Sequence, residues 1–390
     1  MFQIKPTWPN SPPMLIKRIS KVLKSNKHNY HIGDRGKLFE KLFSSYHSNL
    51  YSCSISNATI GLEIALIALD IKKGDEVIVT PRTYYTSASC ILRVGAKPVF
   101  ADIEETTLNI DPKSVISKIT SKTKAIICVH LSGMPCKMDE FLKIKKKYNL
   151  KIIEDCSQSH GASIGKKIVG SFGDVAVWSF CNDKIISTLG EGGMISTNSN
   201  KIFKKIWSLK DNGKNYNKFI NKNKNKNNNF LYLHDFIGTN ARLTEMQSEA
   251  GIYHLEKLDL YLKRRNENAQ IYLNALKNIN FFVPLIVPKN TYNAYYRFTF
   301  LINLKLIKKK FTYQKILNDL TNLVNNVTVG SCSSILNELT FNKFSRSNNL
   351  PIALSVGKRV ISLAVDQTIN KNSIKQNSLI IKEYFEKILI

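Results

Sequence analysis

Residues 175–197 read VAVWSFCNDKIISTLGEGGMIST. An apolar run, Val175 to Phe180, leads to a single lysine, Lys184, and then to Gly190, Gly192 and Gly193 ahead of a second apolar run. Short apolar runs bounded by turn residues suit buried strands. Glycines let the backbone bend sharply and allow close approach. The stretch therefore predicts strand, loop and strand, with Lys184 in the loop. Lysine is abundant in this chain, so Lys184 gains meaning only from its surroundings.

Working outward, the same pattern recurs. EVIVT (Glu76 to Thr80), KPVFAD (Lys97 to Asp102), AIICVH (Ala125 to His130) and KIIEDC (Lys151 to Cys156) are short apolar runs. Helical stripes stand among them, at Thr59 to Ile71 and at Asp139 to Tyr148. Such alternation predicts an α/β fold with a mostly parallel sheet covered on both faces. Beyond Asn200 the character changes. Between Asn215 and Asn229, eight of fifteen residues are Asn and four are Lys, which reads as an exposed loop. One long helix is expected from Leu243, carried by Met246, Ala250, Tyr253 and Leu258. The last third mixes helices (Thr312 to Val324) with strands (Tyr295 to Asn303), as a smaller α+β domain would. The expected division is 1–250, a large domain with an N-terminal arm, and 251–390.

Composition narrows the class. A chain of 390 residues with 43% hydrophobic content can bury a sizeable core and is not a disordered chain. Seven scattered cysteines without a C-x-x-C pair suggest reduced thiols and a cytoplasmic setting, with no metal site. The N-terminus lacks a basic-then-apolar signal pattern, and no apolar run approaches the roughly 20 residues of a membrane helix. The net charge of +28 raises nucleic acid or another polyanion as a partner. Its lysines form no aromatic-interleaved groove, so no nucleic acid is expected. The charge bears on solubility and on attraction of a doubly charged phosphate substrate.

In an open parallel sheet, ligands sit at the carboxyl ends of strands. Asp155 and Ser179 stand at two such ends, and Thr59 opens a helix after SCSISN. A lysine for an imine, a carboxylate for a pyridine nitrogen and a phosphate cup are what pyridoxal phosphate requires. Lys184 must be neutral to attack, which burial and cationic neighbours would promote. Phosphate suits a helix N-terminus, with Thr59 giving a hydroxyl, Ile60 a backbone N–H and Ser179 a second hydroxyl. Tyr84 or Tyr85 can stack on the ring. Taken singly, Asp155 could be a helix cap, Ser179 a turn residue and either tyrosine a packing aromatic. Their ordered combination carries the inference.

The segments GLEIALIALDIKKGDEVIVTPRTYYTSASC (61–90), VHLSGMPCKMDEF (129–141), IIEDCSQSHGASIGKKIVGSFGDVAVWSF (152–180) and HDFIGTNARLTEMQSEAG (234–251) resemble the DegT/DnrJ/StrS sugar aminotransferases. The resemblance covers nearly the whole chain. It implies a fold type I, aspartate-aminotransferase-like homodimer with pyridoxal 5'-phosphate at the subunit interface. By the resemblance, the imine lysine falls on Lys184, the pyridinium aspartate on Asp155 and the ring-hydroxyl glutamine on Gln158. Phosphate contacts fall on Thr59, Ile60 and Ser179. The stacking ring falls on Tyr84, with Tyr85 one residue away. Asn240 and Arg242 match a segment that reaches the neighbouring subunit's phosphate. His130, His160 and Glu191 lie in matching motifs, each with a structural alternative, and Asn182 and Asp183 shape either the substrate pocket or only the turn. The implied reaction moves an amino group, with L-glutamate as donor, onto a nucleotide-linked keto sugar for surface polysaccharide or lipopolysaccharide synthesis. Family members that dehydrate sugars carry histidine at the lysine position, so Lys184 favours the aminotransferase. The remaining rival is a cofactor-bound regulator or polyanion-binding protein, supported only by charge.

Overall fold

The computed structural model describes residues 8–222, 233–324, 326–330, 334–341, 344 and 350–390. Its central sheet has seven strands: β1 (Tyr51–Ile55), β2 (Glu76–Val79), β3 (Lys97–Phe100), β4 (Thr123–Val129), β5 (Lys151–Asp155), β8 (Val175–Ser179) and β9 (Gly193–Thr197). They lie in the order β1-β9-β8-β5-β4-β2-β3. The pairs from β3 through β8 are parallel, and β9 runs antiparallel to both β8 and β1. The period-2 alternation of a strand sends its side chains to opposite faces. Ile78, Ile126, Cys128 and Ile152 accordingly join a core with Phe141 and Ile144. Val77, Val79, Ile127, Val129 and Ile153 join another with Leu62, Ala65 and Leu66. Both faces are buried, which is why these strands read as unbroken apolar runs.

Two short antiparallel sheets complete the strands. One comprises β6 (Ser163–Ile164), β7 (Lys167–Ile168) and β11 (Thr291–Tyr292); the other comprises β10 (Phe282–Pro284), β12 (Phe298–Ile302) and β13 (Val360–Leu363). The second sheet shares a core with the helices Leu258–Leu276 and Lys371–Ile388, through Tyr272, Phe298, Phe300 and Phe385.

Two expectations change. The long helix from Leu243 is two helices, Glu245–Leu255 and Leu258–Leu276. Thr244 and Gln247 form a capping box at the start. The turn at Glu256–Lys257 lets Leu255, Leu258 and Leu262 enter one core with Phe39 and Phe43. The segment expected as a loop begins with a helix, Tyr216–Lys222, because Tyr216 packs edge-on against Trp207 at 5.2 Å and Phe219 lies 5.2 Å from it. The rest of that segment, 223–229, lies outside the described residues. The N-terminal arm contains two helices, Pro13–Lys24 and Arg35–Tyr46. Among the described residues, no helix is long and apolar enough to cross a membrane.

Candidate active site

A cavity of about 400 Å³ opens where β2, β5 and β8 end and the helix α3 (Ala58–Ala68) begins. That volume lies within the roughly 300–1,000 Å³ typical of small-molecule sites. Six expected residues line it together: Thr59, Tyr84, Asp155, Gln158, Ser179 and Lys184. Glu191 joins them.

Asn57 caps α3, its Oδ1 accepting the Ile60 N–H at 3.0 Å. Ile60 is therefore the exception to the expected phosphate contacts: its N–H is already bonded, and it does not line the cavity. Ala58 and Thr59 supply the first-turn groups there. The helix end can sit this close because residue 193 is glycine. A Cβ at Gly193 would lie 2.8 Å from the Trp178 carbonyl oxygen and 3.0 Å from the Ala58 nitrogen.

Asp155 is buried at the end of β5. Its Oδ2 accepts the Ser87 hydroxyl (2.8 Å) and its Oδ1 the Ser157 N–H (3.1 Å). Ser87 also meets the Thr83 hydroxyl at 2.7 Å, so the carboxylate is oriented by the segment following β2. Gln158 Oε1 accepts the Ser132 N–H at 2.8 Å, which makes the NH2 end of its amide a donor. Tyr84 lines the cavity and is 60% exposed. Tyr85 turns away, 5.4 Å from the Phe341 ring, with its hydroxyl on Thr340 at 3.1 Å. Of the two tyrosines, Tyr84 is the one at the cavity.

Lys184 differs from expectation in its electrostatics. Its Nζ lies 3.6 Å from Asp183 Oδ1 and 4.9 Å from the Tyr296 ring centroid. Burial works to lower its pKa, but Tyr296 and Asp183 outweigh burial and raise it. The surroundings hold an ammonium, where a neutral amine was expected.

Asn240 and Arg242 are not in this cavity. Arg242 pairs with Asp211, whose Oδ2 also lies 2.8 Å from His31 Nε2. Burial alone would raise the Asp211 pKa; His31, Lys214 and Arg242 hold it at about 2. Asn240 is exposed and bridges to the Asp211 backbone.

The two histidines also lie outside the lining. His130 Nδ1 accepts the Cys136 N–H (3.0 Å), so its Nε2–H donates to Glu154 (3.1 Å). His160 is wholly buried, 5.7 Å from the Phe180 ring, and burial pushes its pKa well below the ordinary value. The Glu191 carbonyl accepts the Thr188 hydroxyl and the Gln247 amide, each at 2.8 Å, which fixes the glycine turn.

Sequence reasoning missed Tyr296, Arg297, Ser87 and Glu154. Tyr296 and Arg297 line the cavity from the far side of the proposed domain boundary. Glu154 points away from Asp155, as strand alternation requires. Its carboxylate accepts N–H groups from Gly170 (2.7 Å), Phe172 (2.8 Å) and Gly173 (2.6 Å). An amine, an oriented carboxylate, two hydroxyls and a helix N-terminus around one cavity fit an aromatic cofactor that bears an aldehyde, a ring nitrogen and a phosphate.

Comparison with known proteins bears on the family. The model of the DegT/DnrJ/EryC1/StrS aminotransferase family matches residues 13–378. GDP-perosamine synthase of Escherichia coli O157:H7 is 39% identical over 242 residues, 62% of each chain. The dTDP-3-amino-3,6-dideoxy-alpha-D-galactopyranose transaminase of Aneurinibacillus thermoaerophilus is 38% identical over 257 residues, 66% of this chain and 67% of that one. The solved aminotransferase from Psychrobacter cryohalolentis superimposes with a TM-score of 0.93 at 36% identity, covering 98% of both chains. With a match spanning nearly its whole length, the chain belongs to the DegT/DnrJ/EryC1/StrS aminotransferase family, whose members are pyridoxal-phosphate-dependent enzymes.

Proposed function

We propose that the protein moves an amino group from L-glutamate to a nucleotide-linked keto sugar, and that the product feeds surface polysaccharide or O-antigen assembly. It acts in the cytoplasm as a homodimer, with residues 1–250 as the cofactor-binding domain and 251–390 as the smaller one. Its named relatives support the substrate class: a GDP-perosamine synthase and a dTDP-amino-sugar transaminase. One observation carries the chemistry, the convergence of Lys184 and Asp155 on one cavity beside a helix N-terminus.

Pyridoxal phosphate, when bound, supplies the electron sink that makes the donor's α-proton labile. The chain does the rest. Lys184 Nζ would hold the cofactor and, when free, would move the proton at the donor's α-carbon. Asp155, already oriented by Ser87 and Ser157, favours a protonated ring nitrogen. Thr59, Ser179 and the start of α3 would hold the phosphate, the Gln158 amide would meet the ring hydroxyl, and Tyr84 would cover the ring face. Asn240 and Arg242 serve the neighbouring subunit's phosphate, which agrees with their standing outside this chain's own cavity. The test is incubation with glutamate and a panel of nucleotide-linked keto sugars. Formation of 2-oxoglutarate with an amino sugar supports the proposal; loss of water from the sugar without 2-oxoglutarate refutes it in favour of a dehydratase.

A further inference from the structure

The roles assigned so far leave Asp183 and Tyr296 unused, although both line the cavity beside Lys184. The lysine backbone is fixed at both ends. Its N–H donates to the Cys181 carbonyl (3.0 Å) and its carbonyl accepts the Trp8 indole N–H (2.7 Å). Its side chain meets Asp183 Oδ1 at 3.6 Å and lies over the Tyr296 ring. The Tyr296 hydroxyl donates to the other oxygen of the same carboxylate, Oδ2. One carboxylate is thus shared by an ammonium and a phenol.

Tyr296 is itself held in place. Its N–H donates to the Ser132 carbonyl (3.0 Å), and its carbonyl accepts from the buried Arg265 (3.1 Å), which also reaches the Tyr295 carbonyl (3.3 Å). Tyr295 has φ 44, a left-handed conformation that is costly for a bulky residue. Such strain persists only where the surroundings over-determine it, and it clusters at functional sites. Ser132 also donates its N–H to Gln158, so one chain of bonds links two cavity-lining residues, Gln158 and Tyr296.

We propose that Asp183, anchored by Tyr296, is a positioning residue that parks Lys184 as an ammonium whenever its amine is not bonded to the cofactor. The proposal rests on Lys184 being the cofactor lysine. Other charged or titratable groups face the same space: Cys181 and Glu191 on the lysine's own loop, Arg297 beside Tyr296, and Asp155 across the cavity. Behind them stand Arg265, whose cation acts on Asp183, and His160, which Lys184 itself disfavours as a cation. Glu191 is the competing carboxylate. Of the carboxylates among the described residues, only Asp183 pairs with Nζ. Parking has a kinetic consequence, since the ammonium must lose its proton before it can bond to an aldehyde. Cofactor loading is therefore slow at neutral pH and accelerates as pH rises.

Trace acetylation of the cofactor-free protein, read at Lys184 by mass spectrometry across pH, tests this. Fully buried Lys210 in the same sample reports an intact fold by remaining unlabelled. At pH 9, Lys184 of Asp183→Asn should label roughly three- to fivefold faster than wild type, with its midpoint at lower pH. Asp183→Glu, which keeps a carboxylate, should stay nearer to wild type. No acceleration in Asp183→Asn, or an equal acceleration in Glu191→Gln, overturns the assignment. Labelling needs no cofactor, so its failure is distinct from failure of the functional reading, which would show as no visible absorption band on adding pyridoxal phosphate.

Discussion

Replacing Glu154 by glutamine leaves the shape of β5 intact and removes one acceptor from a wholly buried site. In the native chain, Oε1 accepts the Phe172 and Gly173 N–H groups, and Oε2 accepts Gly170 N–H and His130 Nε2–H. His130 cannot relieve the loss by changing tautomer, because its Nδ1 already accepts the Cys136 N–H. Whichever way the new amide turns, its NH2 faces two donors. Each unsatisfied buried donor costs about 1–3 kcal/mol, and the turned amide leaves two of them facing its NH2. We expect a loss of about 3–5 kcal/mol, or about 6–10 °C in Tm at about 2 °C per kcal/mol for a chain this long. The sign with pH is fixed by the same contacts. Burial alone would raise the Glu154 pKa, but His130 and the backbone N–H groups outweigh it and hold it below its ordinary 4.5. A carboxylate with a depressed folded-state pKa contributes stability above its unfolded value and loses it as pH falls through the folded one. Thermal unfolding of the cofactor-free proteins should therefore show a gap that is full at pH 7 and narrows as pH falls below 4.5. A variant melting within about 1 °C of wild type at pH 7, or a gap unchanged on acidification, refutes this account of β5.

Three further outcomes follow from the cavity. Gly193→Ala should cost about 1–3 kcal/mol, because the added methyl meets backbone at Trp178 and Ala58 that cannot swing aside; differential scanning calorimetry reads the loss directly. The same variant should bind pyridoxal phosphate less tightly, since the start of α3 is displaced. Thr59→Ala and Ser179→Ala should each raise the Kd for pyridoxal phosphate roughly tenfold, as expected for one hydrogen bond to a charged group, measured by absorbance titration.

The parallel strands were legible because both of their faces are buried, so each appears as an uninterrupted apolar run. Strand Tyr51–Ile55 was not, since it buries two serines. Ser52 pairs with the Ser196 hydroxyl at 2.6 Å, and Ser54 bonds to Glu40, partners that exist only once the chain is folded. The break at Glu256–Lys257 was equally hidden, because the apolar spacing continues across it. At the site, the meeting of Lys184 and Asp155 at one cavity was legible from the ordered combination of strand ends, glycines and a helix start, not from either residue singly. Tyr296 and Arg297 were not: they reach the cavity from more than a hundred residues downstream, and no local pattern marks them. Asp183 was noticed, but its role depends on Tyr296 and so on tertiary structure. Asn240 and Arg242 matched the family segment, and within the chain they attach instead to Asp211.

The central claim is that Lys184 bonds covalently to pyridoxal phosphate. Borohydride reduction of the loaded protein, followed by proteolysis and peptide mass mapping, tests it most directly. The account predicts one pyridoxyl group, on Lys184, and none in Lys184→Ala. A label fixed at another lysine, or an imine band that survives unchanged in Lys184→Ala, contradicts it.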